Sequence, residues 1–110
     1  MTDQGRKYLS DILLSIELIE SFTNEISSYN LYSNDLKTQS AVERQLGIIG
    51  EAINKFEKLF PEITLDNARK VVGLRNRLIH SYDSIDSSII WAIIKNHLTP
   101  LKEEVQRLNK

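Results

Sequence analysis

Residues 41–60 have the sequence AVERQLGIIGEAINKFEKLF, which carries the clearest structural signal in the chain. Its apolar side chains recur at steps of four and three residues: Val42, Leu46, Ile49, Ile53, Phe56 and Phe60. This spacing places them on one face of a helix, as in a bundle whose helices share a core. The pattern predicts a long helix from about residue 35 to residue 60. Pro61 ends it, because proline disfavours helix in the residue before it.

Two glycines, Gly47 and Gly50, lie inside this predicted helix. Each costs roughly 1 kcal/mol relative to alanine in a helix interior. A close approach between two helices would compensate for that cost, since glycine has no side chain to keep the backbones apart. We therefore expect another element to pack against this helix near the glycines.

Three more segments have helical periodicity. Residues 6–27 form the first amphipathic segment. The second covers residues 67–80 and follows Asp66, a predicted N-cap, and the third runs from Asp86, another predicted cap, to the end of the chain. Thr99 and Pro100 interrupt the last segment in the pattern of an N-cap followed by proline. The polar composition of residues 27–34 and 81–84 predicts turns there. The sequence thus predicts an all-α, antiparallel bundle of four to five helices, as a single domain over residues 1–110.

Composition narrows the class of protein. The chain has 110 residues and no cysteine, which excludes disulfides and thiolate zinc sites. Its longest apolar run, residues 89–94, is too short to span a membrane, and its start lacks the pattern of a signal peptide. These features favour a cytoplasmic protein. The net charge is −1, but residues 67–82 contain four basic side chains and no acidic one, which suits a local contact with RNA or an ordinary solvated helix face.

The chemically informative stretch is residues 74–82, LRNRLIHSY, which contains Arg75, Asn76, Arg77, His80 and Tyr82. Arginine holds phosphate through a planar fork of donors, histidine transfers protons near neutral pH, and tyrosine stacks on bases or supplies a hydroxyl. Asn76 and His80 share a helix face, but Arg75 and His80 are about 140° apart on an ideal helix. Either Arg75 reaches round, or the helix ends before His80, or the two meet across chains. The simpler interpretation is a capping histidine beside surface arginines.

Other residues carry weaker signals. His97 lies among apolar residues and is predicted to be structural, and Trp91 is predicted to lie in the core or at an interface. Glu103 and Glu104 are adjacent, so they point apart on a helix and receive no acid–base role. No cluster of metal ligands and no glycine-rich phosphate loop is evident, so neither a metal nor another cofactor is expected.

The motif Arg75-x4-His80-x-Tyr82, with Asn76 in the polar position, resembles the signature of HEPN domains and in particular of the HepT-like ribonuclease toxins. The segments DILLSIELIESF (residues 11–22), IIGEAINKF (48–56) and IIWAIIKNHLTPLKEEV (89–105) are also similar to this family. The resemblance implies a metal-independent endoribonuclease that acts as a homodimer, with the motif helices near the two-fold axis. It also implies a partner, an MntA-like nucleotidyltransferase antitoxin, which attaches AMP to Tyr82 and can join the dimer in a larger hetero-oligomer.

The residues themselves agree with RNA cleavage by the 2′-hydroxyl. One group removes its proton, the oxygen attacks phosphorus, and an acid protonates the leaving 5′ oxygen. One chain offers a single motif histidine, whereas a dimer offers two. Arg75 would stabilise the transition state and Asn76 would orient His80 or contact phosphate. Two alternatives stay open: a non-catalytic helical module that binds RNA or a nucleotidyltransferase, and a recognition subunit of that transferase.

Overall fold

The predicted seam of residues 41–60 lies at the centre of the fold. The computed structural model describes residues 1–80 and 86–109, with only the backbone at Ile79 and His80. In it, the first five apolar residues of the predicted helix face, from Val42 to Phe56, are fully buried. The helices are α1 (Asp3–Thr23), α2 (Tyr29–Ser33), α3 (Leu36–Leu59), α4 (Arg69–His80), α5 (Ser87–Asn96) and α6 (Leu98–Leu108), with a 3-10 turn (Asp66–Ala68) before α4. The described residues include no strand, so the all-α prediction is confirmed.

Helix α3 is the element on which the others assemble. Helix α1 packs along it through fully buried Leu9, Ile12, Ile16 and Ile19. Helix α4 packs on another part of α3, and α6 packs on α1. Lys102 Nζ on α6 donates a hydrogen bond to Glu20 Oε1 on α1 at 2.9 Å. Helix α4, which carries the motif, is therefore positioned mainly by α3.

The segment at residues 27–34, predicted as a turn, contains the short helix α2. Ser28 caps it by accepting a hydrogen bond from the Leu31 N–H at 3.3 Å. Tyr32 is fully buried, and its ring lies 5.3 Å from the ring of Trp91 on α5. Burial of this aromatic pair holds five residues in a helix that their polar sequence alone does not favour. The same contact confirms that Trp91 belongs to the core region.

The break in the last amphipathic segment lies earlier than predicted. Helix α5 ends at Asn96 and α6 begins at Leu98, so the Thr99 cap is wrong and His97 joins the two helices. Pro100 is the third residue of α6, where an N–H has no partner within the helix. In a continuous helix its ring would clash with the carbonyl of Asn96, four residues earlier, so the helix breaks between Asn96 and Leu98. The predicted cap Asp86 is confirmed, because its Oδ1 accepts from the Ser88 N–H at 2.9 Å.

In the described part of the bundle, no helix combines the length and the apolar character needed to cross a bilayer.

Candidate functional site

The start of the motif helix is anchored by carboxylates from two other helices. Glu104 on α6 accepts hydrogen bonds from the N–H groups of Asp66 at 2.9 Å and Asn67 at 3.0 Å. Glu57 on α3 accepts from the Leu65 N–H at 3.0 Å. The predicted N-cap, Asp66, makes no capping bond and instead lies inside the 3-10 turn. Carboxylates from two distant helices thus bind the N–H groups of residues 65–67, immediately before α4.

Glu57 also neutralises one of the four basic side chains of residues 67–82. Its Oε1 accepts from Arg69 Nη2 at 2.6 Å, so Arg69 is paired with an acid from another helix. Lys70 and Arg77 are exposed and form no ion pair with a described carboxylate. The basic patch that the sequence indicated is therefore smaller in the fold than along the chain.

The side chain of Arg75 on α4 packs against α3 at Gly50. A Cβ atom built on Gly50 would lie 2.5 Å from Arg75 Cβ and 2.8 Å from its Cγ, distances that real side chains do not adopt. Glycine at position 50 is thus what allows α4 to dock so closely, which confirms the close approach expected there. The half-buried stem of Arg75 is held at a fixed place on α3 as a result.

Beyond Gly50, Arg75 lines an open groove of about 420 Å³ between α4 and α3. The other lining residues are Glu43, Arg44, Gly47, Ile48, Glu51 and Leu78. Among the described residues, the guanidinium has no carboxylate partner, and Arg75 Nη1 donates only a long hydrogen bond of 3.4 Å to Asn76 Oδ1. Burial raises the pKa of the Glu43 carboxyl above its usual value. Unlike Gly50, Gly47 has open space where a side chain would be.

The motif residues do not all face this groove. Asn76 and Arg77 are exposed, and Arg77 lines a second groove between α4 and α5. The backbone is helical as far as His80, so a helix that ends well before His80 does not explain the motif spacing. Arg75 and His80 are therefore attached about 140° apart around α4. Tyr82 lies outside the described residues, as does the turn predicted at residues 81–84.

Comparison with known proteins relates the chain to a family. The family model described as HepT-like, "Ribonuclease HepT-like", matches residues 12–108. The chain belongs to the HepT-like ribonuclease family. It is 41% identical over 114 aligned residues to a protein of Thermococcus cleftensis named "Probable ribonuclease HepT", with all of both chains covered. It is also 39% identical over 105 residues to a protein of Methanocaldococcus jannaschii whose name begins "Putative RNase", covering 92% of this chain and 93% of that one. No solved structure matches the chain.

This HepT-like chain also has a site feature that sequence analysis missed. His97, predicted to be structural, does join α5 to α6, and its N–H donates to the Ile93 carbonyl at 2.9 Å. Its half-buried side chain also lines the groove between α4 and α5, together with Lys70 and Arg77. No periodic signal links position 97 to positions 70 and 77, because His97 approaches them only through the packing of separate helices.

Acidic and histidine side chains do not gather into a metal site in the described part of this HepT-like chain, where no three potential ligands come together. Glu104 has the structural role described above, consistent with the absence of an acid–base assignment for it.

Proposed function

We propose that this chain is a ribonuclease toxin that cleaves RNA without a metal ion. The observation that carries the proposal is Arg75, whose stem is fixed against Gly50 while its guanidinium borders an open groove without a described carboxylate partner. A fixed, unneutralised cation stabilises the charge that develops on a phosphodiester during attack. Membership of a ribonuclease family gives independent support.

The chemistry follows from the substrate. His80, or its copy in a second chain, removes the 2′-hydroxyl proton while the 2′ oxygen bonds to phosphorus. The bond from phosphorus to the 5′ oxygen breaks, and a protonated histidine supplies the proton that this oxygen needs. Arg75 stabilises the pentacoordinate transition state, and Asn76 and Arg77 support phosphate binding. The products are a 2′,3′-cyclic phosphate and a 5′-hydroxyl, and DNA is inert because it lacks the nucleophile.

A homodimer would complete this site. Two proton transfers require two groups, and each chain supplies one motif histidine. Arg75 lies on the α3 side of α4, whereas position 80 is attached on another face of the same helix. A second copy facing α4 would supply the missing group from its own motif helix.

RNA cleavage in the presence of EDTA tests the catalytic part of the proposal. Arg75→Gln keeps the Cβ and Cγ atoms that contact Gly50 but removes the guanidinium, and His80→Ala removes the proton carrier. We expect each variant to lose about 10²- to 10⁴-fold in the rate of cleavage of total RNA. The exposed Arg107→Ala variant is the matched control and should keep its activity. Full loss of wild-type activity in EDTA, or full activity in His80→Ala, would refute the mechanism.

Control of the toxin is the second part of the proposal. A nucleotidyltransferase antitoxin attaches AMP to the Tyr82 hydroxyl, two residues from His80, and the added phosphate competes with RNA for Arg75 and Arg77. Tyr82→Phe removes the acceptor oxygen and keeps the ring. With antitoxin and ATP, this variant should stay active and show no mass increase of roughly 329 Da per AMP, a value set by the formula of the group. Silencing of Tyr82→Phe, or modification of Tyr8, Tyr29 or Tyr32, would count against this assignment.

A further inference from the structure

A groove of about 420 Å³ separates α4 from α5 on the side of α4 that faces away from Arg75. We call it the α4–α5 groove. Its lining includes Lys70, Gly73, Arg77, Ile89, Ala92 and His97. The volume lies in the range of small-molecule sites. None of the described residues that line the groove is acidic. Arg69 also lines the groove but is paired with Glu57, whereas Lys70 and Arg77 form no ion pair with a described carboxylate. The catalytic proposal uses only Arg77 of these residues.

The floor of the groove is apolar and open. A Cβ atom built on Gly73 would meet no atom within 4 Å, so the middle of the floor is empty space. Ala92 on the opposite wall is exposed, and Ile89 is 37% exposed. Two small residues line the groove together with the aliphatic Ile89, which leaves room for a flat apolar surface such as a nucleobase.

The rim of the groove offers donors for an anion. Lys70 and Arg77 are exposed and lie seven residues apart, so they are neighbours two turns apart along one face of α4. Their charges are not cancelled by a described acid. His97 lies on the other wall, and its imidazole makes no hydrogen bond to a described residue. An apolar slot with cations along one edge is complementary to a nucleotide, which combines a base with a phosphate.

The position of the groove relates it to the motif. Positions 73, 77 and 80 succeed one another at steps of four and three, so the backbone of His80 lies on the same face of α4 as the groove. Arg77 precedes His80 by three residues, or about 4.5 Å along the helix axis. A nucleotide in the groove would thus lie beside the backbone of His80, on the face of α4 opposite Arg75.

We propose that the α4–α5 groove is a nucleotide subsite for the RNA substrate. The base of a nucleotide next to the scissile bond lies between Gly73 and Ala92, its phosphate pairs with Lys70 and Arg77, and His97 donates a hydrogen bond to it. The inference rests on the proposed ribonuclease function and deepens it. Charge favours RNA over a protein partner as occupant, because the groove presents only cationic and neutral side chains.

Binding of an RNA that resists cleavage tests the subsite separately from catalysis. The probe is a fluorescein-labelled, single-stranded RNA of mixed sequence with every 2′-hydroxyl methylated, and the readout is fluorescence anisotropy at several salt concentrations. Gly73→Leu fills the slot and should weaken binding about tenfold. Lys70→Gln removes one phosphate contact and should reduce the salt slope by roughly 0.7. The KM for unmodified RNA should rise in both variants.

Controls match each substitution in size and charge. Ser10→Leu adds the same side chain at an exposed position of α1, and Lys37→Gln removes an exposed lysine from α3, so both should bind RNA like the wild type. Thermal unfolding checks the fold of Gly73→Leu, and Lys70→Gln tests the groove without altering any buried residue.

Each outcome has a separate meaning. Unchanged RNA affinity in both groove variants, while the wild type cleaves RNA, would overturn the subsite and leave the proposed function standing. Wild-type protein that binds the methylated RNA but does not cleave unmodified RNA would contradict the function alone. Altered sedimentation of Gly73→Leu with unaltered RNA affinity would make the groove a protein contact and would also overturn the subsite.

Discussion

Gly50 and Gly73 both lie inside helices, yet the structure assigns them different roles. At Gly50 the side chain of Arg75 occupies the space where a Cβ would be, whereas at Gly73 that space is empty. Neither residue has the positive φ that would require glycine for conformational reasons. The reason for glycine at position 50 is therefore the close approach of α4, and no backbone requirement explains glycine at position 73.

Alanine at these two positions should have opposite effects on stability. Gly50→Ala forces Arg75 and α4 away from α3, which we expect to lower the free energy of unfolding by about 1–3 kcal/mol. It should also reduce RNA cleavage, because Arg75 moves. Gly73→Ala should raise the free energy of unfolding by up to about 1 kcal/mol through helix propensity alone. Urea unfolding followed by circular dichroism measures both, and a stabilised Gly50→Ala would refute the role assigned to the close approach.

At the scale of the element, α4 follows a 3-10 turn that is held by carboxylates from two other helices. Glu104 from α6 accepts from the N–H groups of Asp66 and Asn67, and Glu57 from α3 accepts from that of Leu65, immediately before the turn. The glutamates therefore couple the position of the motif helix to the packing of α3 and α6. A shift of either helix would move the start of α4 with it.

Removal of this remote cap should destabilise the protein. Glu104→Ala leaves the N–H groups of Asp66 and Asn67 without their acceptor, at a cost of about 1 kcal/mol, which is about 4 °C in Tm for a domain of this size. The adjacent Glu103 is exposed, so Glu103→Ala is the matched control and should change stability by less than about 0.5 kcal/mol. Equal melting temperatures for the two variants, measured by calorimetry, would show that the cap is dispensable.

At the scale of the whole molecule, the chain forms an elongated bundle with extents of 42 × 29 × 19 Å. Its motif helix contributes Arg75 to one side and the position of His80 to another. The proposed chemistry needs two proton carriers near one phosphate, and a second copy of the chain is the simplest source of the second one. Assembly is therefore part of the proposed mechanism.

Sedimentation in solution tests this proposal directly. At micromolar concentration we expect a species of twice 12.7 kDa. Dilution towards the monomer should lower the specific activity, since each isolated chain would retain only one motif histidine. A monomer at all concentrations, with undiminished RNA cleavage, would contradict a site shared between chains.

Sequence periodicity determined which residues form the core. Leu9, Ile12, Val42, Leu46 and Ile53 lie on the predicted apolar faces and are buried, because the spacing of apolar residues fixes the face that a helix must hide from water. Phe22, which the same spacing places on the face of α1, is exposed. The same periodicity placed Arg75, Asn76 and His80 on one helix, and the structure has them on α4. These features depend on neighbours in the chain, and the chain alone specifies them.

Contacts between distant segments decided the rest. Helix α2 exists because Tyr32 packs on Trp91, and α4 begins at carboxylates from residues 57 and 104. The α4–α5 groove brings His97 towards Lys70 and Arg77 only after the helices have packed. Burial and remote hydrogen bonds override weak local preferences, since their free energies equal or exceed the propensity differences among residues. Helical spacing cannot encode a contact whose partners lie dozens of residues apart.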